Sequence, residues 1–203
     1  MRAGQSSPRS RRRSGSTRRR ADPRSSPSRS RNHPGNRRGG SQTGPAIENS
    51  LLEPLFKPLL QELVTRTGME TIYLTRIHWR DHEQEILLSV NEEPKNLWIP
   101  EEVRLDYSDA VCRYVLEGGP SSTDNVPLVF PASDVARFLR FQSFASVPIE
   151  IGEEEVYGTL CGASTGRVKL DDLQMHELRR SARRIALWLS RNAAQLPVGM
   201  VAN

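Results

Sequence analysis

The sequence predicts an α+β domain: an antiparallel β-sheet with N- and C-terminal helices packed on one face and a pocket of loops and short helices on the other. Three observations lead there. Apolar residues recur at helical spacing over residues 51–64 and 173–189, runs with strand character come as two hairpins, and residues 91–143 form a long crossover between those hairpins. Helices kept apart from hairpins, rather than alternating with single strands, favour an antiparallel sheet.

In the first element, apolar residues pair every four positions: Leu51/Leu52, Leu55/Phe56, Leu59/Leu60 and Leu63/Val64. That is a core-facing helical stripe. Pro54 and Pro58 argue against one continuous helix, which places Pro58 in the first turn of the main helix and Gly68 at its stop. Residues 71–79 alternate, with Ile72, Leu74 and Ile77 among β-branched and aromatic neighbours. A polar turn at 81–84 leads to Ile86, Leu87, Leu88 and Val90, completing a hairpin. Residues 91–107, punctuated by Pro94 and Pro100, read as loop. Ser108 or Asp109 is placed as the cap of a short helix through Ala110, Val111, Val115 and Leu116, ended by Gly118-Gly119-Pro120.

Residues 121–131 also read as loop. Ser133 or Asp134 then caps a helix through Val135, Phe138 and Leu139. Strands at 144–151 and 156–163 follow, joined by Gly152-Glu153-Glu154-Glu155. Asp171-Asp172 opens a last helix carrying Leu173, Leu178, Ala182, Ile185, Ala186 and Leu189, and its early acids and later arginines suit the helix dipole.

Charge divides the chain sharply. Residues 1–50 hold 13 arginines and two acids, a formal +11, with 11 serines, six glycines, five prolines and no aromatic residue. Such a segment cannot bury enough apolar surface to offset its ordering entropy, so residues 1–48 are expected to be a disordered tail. The remaining 153 residues hold 16 bases and 22 acids, a formal −6. Residues 49–196 are expected to fold as one domain, with 197–203 a flexible C-terminus. Two readings of the tail stay open: a translated basic segment, or upstream DNA read from a start placed too early. No apolar run approaches the roughly 18 residues of a membrane span, and no apolar stretch follows the basic N-terminus to make a secretory signal. Two cysteines make no disulfide framework, which favours a reduced, cytoplasmic setting without membrane contact.

Three segments carry a resemblance. Tyr107-Ser108-Asp109-Ala110-Val111-Cys112 is followed by Leu116-Glu117-Gly118-Gly119 and Ser122-Thr123-Asp124-Asn125-Val126. Then come Phe144-Ala145-Ser146-Val147-Pro148-Ile149 and Val156-Tyr157-Gly158-Thr159-Leu160-Cys161-Gly162-Ala163-Ser164, with Asp171-Asp172-Leu173 ahead of the last helix. Together these resemble GAF sensory domains, most nearly those that precede diguanylate cyclase (GGDEF) modules in bacteria. The resemblance covers about residues 51–195 and implies a six-stranded or similar antiparallel sheet with a small-molecule pocket used in signal transduction. No catalytic module follows in the sequence, so the expected output is a downstream signalling protein, in a cyclic-dinucleotide or two-component pathway.

Pocket candidates are Asp109, Cys112, Thr123, Asp124, Ser146, Thr159 and Cys161, a few polar groups of the kind that fix a ligand on apolar walls. Asp109 and Asp124 also have plain roles, as a cap and as a partner for loop backbone. Cys112 near a helix start would have its pKa lowered by the dipole, whereas Cys161, between Leu160 and Gly162 on a strand, reads as a buried inert thiol. Some stand-alone GAF proteins reduce free methionine sulfoxide, but their Cys-bearing G-x-G-x-C-G loop is absent. Pro131-Ala132-Ser133-Asp134 repeats a phytochrome tetrapeptide, yet neither cysteine is followed by the histidine of a pigment attachment site, and helix capping explains the match. His33, His78, His82 and His176 are scattered without metal-ligand spacing. No cofactor, metal or enzymatic activity is predicted.

Leu178, Ala182, Ile185 and Leu189 follow a 4-3-4 spacing that fits either a core-facing stripe or a helix–helix seam, and the resemblance favours a homodimer through the terminal helices. The alternative function is nucleic-acid association through the tail. Arg11, Arg12, Arg13, Arg18, Arg19 and Arg20 would neutralise phosphates with salt-dependent, largely sequence-independent affinity.

Overall fold

A computed structural model of the chain describes residues 45–92, 97–152 and 155–192, with side chains from residue 50 onward. Expectations for residues 1–44 and 193–203, including the basic tail and its arginines, lie outside the described residues. A single helix, α1 (Pro45–Thr67), starts ahead of the expected boundary at 49 and runs through both Pro54 and Pro58. The break inferred from those prolines does not occur. Both are exposed and four residues apart on the solvent face, so the carbonyls they leave without N–H partners meet water. On the other face Leu52, Phe56, Leu60, Leu63 and Val64 are buried and hold the helix on the sheet. Gly68, at φ 68°, ends it, its N–H donating to Val64 O at 2.9 Å.

Six strands follow: β1 (Thr71–His78), β2 (Glu83–Asn91), β3 (Arg104–Asp106), β4 (Ser122–Thr123), β5 (Ser143–Ile151) and β6 (Glu155–Ser164). They make one sheet in the order β3-β2-β1-β6-β5-β4, antiparallel at every pairing. β3 and β4 lie in segments the sequence reads as loop; at three and two residues they are too short to display a period. In β2 the register steps from Leu74↔Leu88 to Thr75↔Ile86. The bulge leaves Leu87 unpaired, so Leu87 and Leu88 both join the helix-side core while Ile86 joins the opposite layer. Gly158 is required where β6 parts from β1, because a Cβ there would run into the carbonyl oxygen of Thr75.

The last helix, α5 (Asp172–Asn192), opens with a reciprocal cap. Asp171 Oδ1 accepts from Gln174 N at 2.8 Å, and Gln174 Oε1 accepts from Asp171 N at 2.9 Å. It lies antiparallel to α1 on the same sheet face: Phe56 packs edge-on against Trp188 at one end, with centroids 5.5 Å apart, and Arg66 Nη1 meets Glu177 Oε2 at 3.1 Å at the other. Leu178, Ala182, Ile185 and Leu189 are all buried in the chain's own core, with Ile72, Val147, Ile149 and Leu160. The seam reading of these four is therefore corrected to the core-facing one. Leu173, by contrast, is 69% exposed. No described helix is long and apolar enough to cross a membrane.

Candidate functional site

The other face of the sheet is covered by the crossover. It consists of a 3₁₀ turn (Tyr107–Asp109), α2 (Val111–Leu116), α3 (Val126–Val129) and α4 (Asp134–Phe138). Local capping differs in part from expectation. Asp106 caps the 3₁₀ turn, its Oδ1 accepting from Ser108 N at 2.8 Å, and Ala110 holds the cap position of α2 with no side-chain bond, so neither Ser108 nor Asp109 plays that part. Ser133 does cap α4, Oγ accepting from Ala136 N at 3.1 Å, as the tetrapeptide 131–134 suggests. Phe138 turns outward, 85% exposed, and the buried residue of α4 is Ala136.

Beneath these elements lies a second core layer of Tyr73, Ile86, Val111, Cys112, Val126, Phe130, Ala136, Phe141, Phe144 and Cys161. Phe144 is its hub, stacked on Phe141 with centroids 6.1 Å apart and edge-on to Phe130 at 6.3 Å. This layer also contains a chain of buried polar groups. Thr75 Oγ1 and Thr159 Oγ1 are 2.7 Å apart, Thr159 Oγ1 lies 3.1 Å from Cys161 Sγ, and Cys161 Sγ lies 3.3 Å from Ser146 Oγ. Cys112 Sγ donates to Gln84 Oε1 at 3.2 Å. The layer thus gathers Cys112, Ser146, Thr159 and Cys161 from the sequence candidates.

It does not gather the other three. Asp109 is exposed on the 3₁₀ turn, and Thr123 and Asp124 are half-buried at the sheet edge. Thr123 Oγ1 is occupied by Asn125 N–H at 3.0 Å. Sequence reading also missed Tyr73, Thr75 and Gln84. Gln84 was assigned to the turn, but β2 starts at Glu83; the remaining signal was a polar residue recurring at alternate strand positions.

The thiols reverse their expected roles. Cys112 sits in the first turn of α2 as anticipated, yet its hydrogen bond with Cys161, together with burial, pushes its pKa well up rather than down. Burial pushes Cys161 up as well, but its bonds with Cys112, Ser146, Thr159 and Tyr73 outweigh that, so its pKa is lowered. Both are free and buried. Burial, reinforced by the two cysteines, raises the Tyr73 phenol well above its ordinary value.

The open space lies beside this layer. A cavity of about 420 Å³ sits between α3, α4 and the start of β5, with Val126, Phe130, Ala136 and Phe141 as apolar wall and Arg137, Arg140 and Gln142 as polar groups. A larger groove of about 880 Å³ lies on the helix side, between α1 and β2, where Lys57, Trp98 and Glu101 line it. It borders residues 93–96, outside the described part, and Lys57 there is spent on Glu53 and Glu101 at 2.8 and 3.4 Å. The smaller cavity is the better candidate, because its apolar wall is built from residues of the crossover-side layer, although none of the seven sequence candidates lines it.

No protein-family model matches the chain. Among characterised proteins it is similar to the diguanylate cyclase DgcP of Escherichia coli strain K12, 29% identical over 142 residues, which is 70% of this chain and 41% of that protein. The chain therefore corresponds to about two-fifths of that relative's length. Among solved structures it is similar to a phycocyanobilin-bound GAF domain from a cyanobacterial phytochrome, with TM-score 0.60 and 13% identity over 75% of this chain and 92% of that one. A red/green cyanobacteriochrome in its red-absorbing state gives TM-score 0.57 and 16% identity over 72% and 99%. The GAF domain of an Acinetobacter phosphoenolpyruvate-protein phosphotransferase gives TM-score 0.56 and 14% identity over 76% and 93%. The antiparallel sheet and these likenesses together give the described part of this chain a GAF-like fold.

Proposed function

We propose that the chain is a sensory module that binds a small molecule and passes the binding state to a partner protein in cyclic-dinucleotide signalling. The observation that carries this reading is the division of its core. The helix side is a mainly aliphatic layer, whereas the crossover side mixes aromatic rings, thiols and hydroxyls, and its apolar members wall a cavity of about 420 Å³. An apolar cavity with Arg137, Arg140 and Gln142 at its rim suits a ligand. The likeness to a diguanylate cyclase supports the pathway, with a cyclase or cyclic-dinucleotide receptor as partner. Thermal-shift screening of the full chain against a metabolite library tests the binding half, and a Tm unmoved by every compound removes it.

A homodimer belongs to the same proposal, because two copies give a binding event a second helix pair to displace. Its interface falls on the outer side of α1 and α5, where Leu51, Leu55 and Leu187 are 44%, 47% and 56% exposed. Light scattering should return twice the 22.9 kDa of one chain. A monomer at high concentration contradicts it.

A further inference from the structure

We infer that the cavity between α3, α4 and β5 takes a small molecule with a flat apolar body and one acidic group, the acid held by Arg140 and Gln142. The inference rests on the small-molecule reading above and names the ligand's chemistry.

The walls define the body. Val126, Phe130, Ala136 and Phe141 are each at most 4% exposed and make a rigid apolar floor, with exposed Pro127 and Pro131 at the rim. Phe130 is stacked on Tyr114 at 5.3 Å and edge-on to Phe144, and Phe141 is stacked on Phe144, so the wall is a rigid aromatic one that suits a planar apolar group against its edges.

The polar groups define the head. Two guanidinium groups line the cavity and no carboxylate does. Arg137 is committed, because it pairs with Asp134 and donates to Pro131 O at 3.3 Å. Arg140 has no carboxylate within ion-pair distance among the described residues. Its backbone sits at φ 57°, a left-handed conformation unusual for a residue with a side chain, and the turn is pinned by its N–H donating to Arg137 O at 3.2 Å. Gln142 is half-buried, and its side-chain amide has no protein partner among the described residues. Its backbone is fixed on both sides: N–H donates to Ser164 O at 2.8 Å, and its carbonyl accepts from Val126 N at 3.0 Å. Arg140 is exposed, so only its backbone is held, but its guanidinium and the Gln142 amide both keep donors to spare at the cavity, which suits a carboxylate or similar oxyanion. A cationic head would meet two like charges.

The test uses three probes with one ring body and different heads: indole-3-acetate, indole-3-ethanol and tryptamine. Isothermal titration of the full chain should give the acid an affinity about fivefold or more above the alcohol, the scale of a charged hydrogen bond at a partly open site, and should give the amine the weakest binding. Arg140→Gly relieves the left-handed backbone while removing the guanidinium. It should unfold at the same or a higher temperature, bind the alcohol as before and bind the acid no better than the alcohol. Equal binding of acid and amine, or acid binding untouched in Arg140→Gly, overturns the inference, as does wild-type chain that binds none of the three. Native mass spectrometry of the purified chain separates this failure from that of the sensory reading: a co-purified ligand lacking an acidic group sinks the ligand class alone.

Discussion

Thr159 shows how closely the crossover-side layer is wired. Its hydroxyl serves Thr75 and Cys161 together, and its own N–H donates to Thr75 Oγ1 at 3.1 Å. Thr159→Val keeps the shape but takes one bond each from Thr75 and Cys161, so it should cost about 0.5–1.5 kcal/mol. Urea unfolding would register this as a lower midpoint at unchanged slope, and an unchanged midpoint would contradict it. The raised pKa values make a second prediction. Burial lifts Tyr107 to about 12, and Tyr73 and Cys112 also move up. The folded state favours their neutral forms, so the stability they add is full below their unfolded values and is lost as pH rises through the folded ones. For Tyr107 that window runs from its ordinary value near 10 up to about 12. Cys161, with its lowered pKa, runs the other way and offsets part of the loss. Denaturation across alkaline pH should show falling stability, with a shallower fall in Tyr107→Phe; equal slopes would refute the assignment. That Ser146, Thr159 and Cys161 face one layer was legible from strand parity, and Cys112 meets that layer from α2, although none of the four lines the cavity. The place of Asp109 was not legible, since residue type cannot tell a cap from an exposed turn.

At the scale of elements, the long ones were legible and the short ones were not. β1, β2, β5, β6 and α5 carry enough residues to display a period. β3, β4 and α3 are held by neighbours rather than by their own pattern, as when Thr123 pairs with Phe144 across to β5. The continuity of α1 escaped a rule that treats proline as a breaker, because burial of Leu52 and Phe56 outweighs two exposed lost hydrogen bonds. Pro58→Ala should therefore stabilise the chain, by roughly 1–3 kcal/mol in a thermal or urea melt, and a destabilised variant would show that the proline shapes the helix. Spacing alone gave α5 two meanings, and burial separates them. Ile185→Ala should cost about 2–5 kcal/mol with the oligomeric state kept. Leu187→Glu, on the outer side, should leave the melt nearly unchanged while splitting the proposed dimer, which light scattering would read as half the mass. The opposite pairing of effects would return the seam to Leu178, Ala182, Ile185 and Leu189.

Across the whole molecule, two core layers on one sheet divide the work. The α1–α5 side holds the fold, and the crossover side carries the polar groups and the cavity. The formal +5 of the chain hides a domain of opposite sign, since all the surplus positive charge precedes residue 51. A ligand acid at Arg140 is thus drawn by a local charge against the field of an acidic domain. The central claim is that this domain holds a small molecule. Native mass spectrometry of the full chain, purified without denaturant, tests it most directly. The account predicts a species heavier than the 22.9 kDa chain by one small ligand, reverting to the bare mass on acid denaturation and absent in Ala136→Phe protein that melts as wild type does. A bare chain mass in every preparation, with no added metabolite retained, would contradict it.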